Sequence, residues 1–310
     1  MKTYALAFVV SMTLVPFGHT TEHPVYPYSP SMLTSENNAF QELEVFPSNG
    51  KAFRLPLPAS LDVLAYGPDG KALYARHFGD MSKLEPPEPG LVKIEFNPTR
   101  LSALPGSTTL SVYYALAVSP HQDRLIISGH EAGASRSSCG IFELSLPVGI
   151  LRKIVESASC DPIVDPPYAH WAYLSLSPDG RRAVALRNHH LELISLSDGK
   201  VSILGDATYE MGAWSPDGRW LAATKITDDN TRLLDAHTLA DGRSIGATDL
   251  EWSPDSRYLL ARRRSVLCGL GEVATFETVD LRTGKRTEVK SSKCLIDRAR
   301  TGWVSSEISP

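Results

Sequence analysis

The sequence predicts an all-β protein, a six-bladed β-propeller in which the two ends of the chain share one sheet. Three observations predict it: a proline-centred word that recurs five times, strand-like apolar runs on both sides of every copy, and incomplete repeats at the two ends.

The five copies align without gaps: Val63-Leu64-Ala65-Tyr66-Gly67-Pro68-Asp69-Gly70, Ala115-Leu116-Ala117-Val118-Ser119-Pro120-His121-Gln122, Tyr173-Leu174-Ser175-Leu176-Ser177-Pro178-Asp179-Gly180, Met211-Gly212-Ala213-Trp214-Ser215-Pro216-Asp217-Gly218 and Asp249-Leu250-Glu251-Trp252-Ser253-Pro254-Asp255-Ser256. Proline presets the φ that the first central turn position needs, aspartate hydrogen-bonds the backbone two positions on, and glycine accepts a positive φ, so the word encodes a tight turn. The apolar run before each word is a first strand. The run after it, such as Ala183-Val184-Ala185-Leu186, is a second. A third and a fourth strand follow around another glycine turn, most plainly at residues 191–196 and 201–204 and again at 276–281 and 286–289. Four strands per repeat make a propeller blade.

The word prolines are Pro68, Pro120, Pro178, Pro216 and Pro254. The first two gaps between them exceed the last two by less than a blade, so they hold extra loop rather than extra blades. Residues 43–46 and 52–55 read as third and fourth strands without a first, and residues 302–305 as a first strand without the others. Joined, they complete a sixth blade and remove the exposed edges that closed β architectures avoid. The propeller is thereby predicted over residues 41–310.

Before it, Lys2 precedes an apolar run, residues 5–15, too short to span a bilayer and placed as the core of a signal peptide over residues 1–20. Residues 21–40, with Pro24, Pro27 and Pro30, read as an extended linker. A secreted or periplasmic location follows, with no membrane span after leader removal. Lys+Arg 31 against Asp+Glu 35 leaves a net charge of −4, which provides no positive field to hold nucleic acid.

The Ser-Pro-Asp-Gly-Arg words resemble the blades of TolB-type propellers, which are WD-repeat-like and are also found in prolyl oligopeptidase relatives. The resemblance covers residues 41–310. It implies a stand-alone propeller, since TolB-type proteins carry an α/β domain before the blades and the peptidases a hydrolase domain, for which this sequence leaves no length.

Four cysteines permit three pairings. Cys139 precedes a third strand and Cys160 follows the fourth strand of the same blade, places that face each other in a hairpin; Cys268 and Cys294 have the same relation. Disulfides Cys139–Cys160 and Cys268–Cys294 are expected, each worth on the order of 3 kcal/mol, in keeping with an oxidising compartment.

No nucleophile elbow, zinc-binding His pair, phosphate-cradling loop or Cys-x-x-Cys occurs, and the turn aspartates are accounted for by their turns. His189 and His190 read as a polar turn, and Trp214, Trp252 and Trp303 as core. Propellers bind at the central channel, so the residues entering each first strand are the informative ones. Tyr113, Trp171 and Tyr209, with Asp62, Glu210 and His170, form a candidate aromatic and acidic collar at one mouth; packing between blades is the competing reading of the aromatics. The expected function is non-enzymatic binding of a protein or peptide, without a cofactor. The alternative is a metal-dependent enzyme of the lactonase or lyase propeller type, with Asp62, Glu210, Asp249 and His170 as ligands.

Overall fold

The computed structural model describes residues 28–37, 40–47, 51–57, 61–77, 90–133, 139–157, 171–204, 209–225, 230–268, 271–289 and 301–308. Its strands are β1 (Tyr28–Asn37), β2 (Phe40–Val45) and β3 (Phe53–Leu57), followed by five runs of four. Blade I holds β4 (Leu61–Tyr66), β5 (Ala72–His77), β6 (Gly90–Glu95) and β7 (Arg100–Ala103). Blade II holds β8 (Leu110–Val118), β9 (Arg124–Glu131), β10 (Cys139–Ser145) and β11 (Ile150–Ser157). Blade III holds β12 (Ala172–Leu176), β13 (Arg182–Arg187), β14 (His190–Ser195) and β15 (Val201–Ile203). Blade IV holds β16 (Tyr209–Trp214), β17 (Trp220–Lys225), β18 (Asn230–Asp235) and β19 (Asp241–Ser244). Blade V holds β20 (Thr248–Trp252), β21 (Tyr258–Cys268), β22 (Gly271–Asp280) and β23 (Arg286–Val289), and β24 (Thr301–Ser305) is the last described strand.

The protein is an all-β propeller. In place of six equivalent blades, it has five that are continuous in sequence and one composite sheet in the order β24-β1-β2-β3. β24 pairs antiparallel with β1, Pro30 opposite Trp303 and Tyr28 opposite Ser305. This corrects the linker reading: the second strand of the composite sheet is β1, and it lies within residues 21–40. Pro30 within the strand and Pro27 just before it suppress the strand signal locally, because proline cannot donate to a ladder. Pairing on both sides, with β24 and with β2, overrides that local preference. Residues 1–20, the expected leader, lie outside the described residues, and no helix among the described residues is long and apolar enough to cross a membrane.

The turn words form as their chemistry requires. Ser177 Oγ donates to Asp179 Oδ1 at 2.6 Å and accepts the Arg182 N–H at 2.9 Å, while Gly180 takes φ 64°. Ser215–Asp217 and Ser253–Asp255 repeat the contact at 2.6 Å. Where glycine is replaced, the backbone keeps its left-handed turn: Gln122 has φ 54° and Ser256 φ 58°. The substituted residues are put to use between blades. Gln122 Nε2 donates to Asp69 Oδ2 at 2.8 Å, and Ser256 Oγ accepts the Asp217 N–H at 2.8 Å. Arg124 donates to Gly180 O at 2.7 Å, and Ser305 N to Gly70 O at 2.8 Å.

The hydrophobic core is divided among the interfaces between neighbouring sheets. Leu43, Val45 and Val304 of the composite sheet pack with Leu61, Val63 and Leu73 of blade I, and Trp303 packs with Tyr258, Leu260 and Phe276 of blade V. Alternation in each strand supplies one face to each neighbour, as in the buried run of β13 from Ala183 to Leu186, which splits between the clusters on its two sides. Two tryptophans add a polar stitch: Trp252 Nε1 donates to Ala213 O and Trp303 Nε1 to Glu251 O, each at 3.0 Å and each reaching the preceding blade.

Candidate functional site

Of the six residues of the predicted collar, the structure describes the side chains of Trp171 and Tyr209. Trp171 is only 1% exposed, and its Nε1 donates to Glu192 Oε2 at 2.6 Å. The Arg187 guanidinium lies 4.7 Å from the centre of the Trp171 ring and donates to Glu192 Oε1 at 2.9 Å. Buried Trp171 and Glu192 and half-buried Arg187 thus interact within blade III, with the indole packed on blade II residues. Tyr209 is buried against Val184, Leu186 and Leu191, and its N–H donates to His189 O at 2.8 Å. For these two aromatics the collar reading is corrected: they are packing between blades, because the ring gains more from filling the wedge between two sheets than from facing water. Tyr113, Asp62 and Glu210 sit on β8, β4 and β16, but their side chains lie outside the described residues, as do His170 and the Asp249 side chain. The four residues of the alternative metal site therefore have no described side chains; among the described residues no group of three His, Cys, Asp or Glu is placed to hold a metal.

Cys139 is buried at the start of β10, opposite Ser157 of β11. Cys160 and Cys294 lie outside the described residues, as does the Cys268 side chain.

A space of about 490 Å³ runs along the channel and is lined by residues of β4, β8, β12, β16, β20 and β24 together with the turn prolines Pro68, Pro120, Pro178, Pro216 and Pro254. Its described lining runs from the middle of the first strands to the turn words that follow them. Of the predicted collar residues, Trp171 and Tyr209 are the two with described side chains, and neither is among the described residues that line it.

How the wall is built follows from the strands. Each first strand of blades I to V carries a register shift against its neighbour, as at Val63/Ala65, Ala172/Ser175 and Thr248/Glu251. A bulge bends the strand and re-aims its side chains, here toward the axis. Tyr173 shows the largest consequence: φ is 51°, a region costly for an aromatic residue, and its side chain is 45% exposed at the cavity. Three positions before each proline, small side chains keep the channel open: Ala65, Ala117, Ser175 and Ala213. The fifth member of that column is Glu251, exposed, and it is the one charged residue among the described residues of the wall.

Sequence reasoning missed Tyr173, Tyr66 and Glu251. The signal for Glu251 was present, as the single carboxylate in an otherwise small-residue column of the repeat alignment. Tyr173 had no such signal, because its exposure depends on the bulge.

No protein-family model matches the chain and no curated protein matches it in sequence. Solved structures do. TolB from Acinetobacter baumannii superposes with a TM-score of 0.63 at 13% identity, covering 89% of this chain. The fold is that of a TolB-type β-propeller. This chain spans 66% of the length of that TolB chain. A chain of a nidogen/laminin complex matches with a TM-score of 0.55 at 11% identity over 90% of this chain and 99% of its own length. Oligogalacturonate lyase from Vibrio parahaemolyticus matches at 0.53 with 9% identity over 83% and 78%. At these identities the likeness is one of fold, and the propeller serves both a chain found in a protein complex and an enzyme.

Proposed function

We propose that this protein is an exported, non-enzymatic propeller that binds a protein or peptide partner at the turn-word mouth of its channel. The composite sheet acts as the sixth blade, with β24 between β20 and β4, and so holds the ring and its channel rigid. The observation that carries the reading is Tyr173: an aromatic side chain 45% exposed at a cavity, on backbone with φ 51°. Left-handed backbone in a non-glycine residue costs about 1–3 kcal/mol, and such strain concentrates where a side chain must be presented to a ligand. Pre-organised aromatics are the residues that carry most of the energy in protein interfaces. The nidogen/laminin neighbour, from a structure of a complex, agrees with this use of the fold. Disulfides Cys139–Cys160 and Cys268–Cys294, and removal of the leader before Thr21, belong to the same reading, because the leader directs export and the disulfides persist in the oxidising compartment beyond it.

The test is a photo-crosslinking amino acid placed at position 173 and, as control, at Ile203, which is 60% exposed on the outer strand of blade III. A discrete protein adduct from position 173 in the envelope or secreted fraction, absent from position 203, is the expected result. Equal labelling at both positions would refute the mouth as the binding surface. Stoichiometric metal in the purified protein, with loss of thermal stability on chelation, would move the assignment to the lyase-type alternative. Non-reducing peptide mapping checks the two disulfides.

A further inference from the structure

Building on the binding-module reading, we infer that the channel selects a partner segment by a basic side chain, with Glu251 as its anionic seat. Glu251 is the one charged residue among the described residues of the wall. Ala65, Ala117, Ser175 and Ala213 occupy the positions in the other blades that correspond to Glu251 and contribute no charge. Glu251 is exposed in the channel, so a cation entering there meets a solvent-accessible carboxylate with no other charge among the described residues of the wall.

Geometry supports the same conclusion. Trp252, the next residue, is buried and donates its Nε1 to Ala213 O, while the Glu251 carbonyl accepts from Trp303 Nε1. The Glu251 backbone is therefore held from both sides, and strand alternation sends its side chain to the axis when that of Trp252 goes between blades. A carboxylate offers about four lone-pair positions, so contacts within the protein leave acceptor capacity for an incoming N–H group. The remaining wall, aromatic at Tyr66 and Tyr173 and apolar at the turn prolines, suits the methylene stem behind a lysine or arginine head group and can stack on its cation. A protein with a net charge of −4 also attracts such a segment at long range. An acidic peptide or a phosphate would meet Glu251 as a like charge.

The experiment is selection of a phage-displayed random heptapeptide library on wild-type protein and on Glu251→Gln, followed by titration of the selected peptides with each basic residue replaced in turn by norleucine. Lysine or arginine should be enriched at least tenfold at one position on wild type and not on Glu251→Gln. Norleucine replacement should cost wild type about 10- to 100-fold in affinity, and the Gln variant little. Glu251→Asp, which keeps the charge, should retain part of the preference. Butylamine as competitor separates a bare amine from a peptide: it should displace the peptide weakly, while comparable affinity of the free amine would overturn peptide selection. The inference falls if basic residues are enriched equally on Glu251→Gln. It also falls if selected peptides bind at the Tyr173 mouth with no basic preference, a result that leaves the binding-module reading standing. Failure to select any peptide whose binding is lost in Tyr173→Ala would remove both. Urea unfolding of the three variants confirms that they fold.

Discussion

Gly302 provides a direct test of the seam between the composite sheet and blade I. A Cβ built at this position on β24 meets Cγ, Cδ2 and Cε2 of Tyr66, the last residue of β4. Three ring atoms, rather than the tip of a flexible chain, stand in the way, so Gly302→Ala must rotate the Tyr66 ring or displace β24. Overpacking of this kind costs about 1–3 kcal/mol. The backbone at Gly302 is not left-handed, so no conformational strain adds to that figure. Loss of glycine freedom in the unfolded chain returns about 0.4–1 kcal/mol. The expected net destabilisation is about 1–2 kcal/mol, read as a lower urea midpoint at unchanged slope. In a Tyr66→Ala background the obstacle is gone, and Gly302→Ala should be neutral or slightly stabilising; the difference is the coupling energy of a double-mutant cycle. Gly246→Ala, where the nearest atom is an arginine nitrogen 3.7 Å away, serves as control. If Gly302→Ala costs the same with and without the tyrosine ring, β24 and β4 are not packed neighbours and the closure of the ring is refuted.

Other consequences can be checked by the same unfolding assay. Trp171→Phe keeps an aromatic ring between the blades but removes the indole bond to the buried Glu192 and part of the packed volume, and should cost about 1.5–3 kcal/mol without changing crosslinking from position 173. Gly218→Ala meets nothing closer than Pro178 Cγ at 3.6 Å, so only its φ of 73° is penalised and the loss should be about 1–2 kcal/mol. Asp123 and Asp179 are held below the usual carboxylate range, chiefly because the Ser119 and Ser177 hydroxyls hydrogen-bond to them. A carboxyl group with a lowered folded-state pKa contributes stability that is complete above its unfolded value, near about 4, and is lost as pH falls through the lower folded value. The urea midpoint should therefore hold from neutral pH down to about 5 and drop below about 4, and the Asp123→Asn/Asp179→Asn variant should show a shallower drop in that window.

Much of this architecture is legible in the chain because it is written in local chemistry. The turn words combine proline, aspartate and glycine at fixed offsets, and each controls only its own backbone, so a short window suffices to recognise the turn. Alternating apolar residues on either side mark the strands for the same reason, and the repetition multiplies a weak signal by five. The placement of β1 was not legible. Pro27 and Pro30 argue locally against a strand, and only the ladders with β24, at the opposite end of the sequence, and with β2 decide otherwise. The packing of two predicted collar aromatics was hidden for a related reason. Aromatics at the start of first strands, such as Trp171 and Tyr209, fit a mouth or a wedge equally well on spacing alone, and the choice depends on whether Glu192 and Leu191 of neighbouring strands stand beside them.

What the amino-acid sequence by itself determined is the unit: four strands, an encoded turn, and the number of times they recur. Only the tertiary structure decided which side chains face the axis. That choice rests on the bulges in the first strands and on contacts between neighbouring sheets, and a single-position shift in register sends every side chain of a strand to its opposite face. Glu251 and Tyr173 reach the channel by that geometry, and Trp171 is withdrawn from solvent by it.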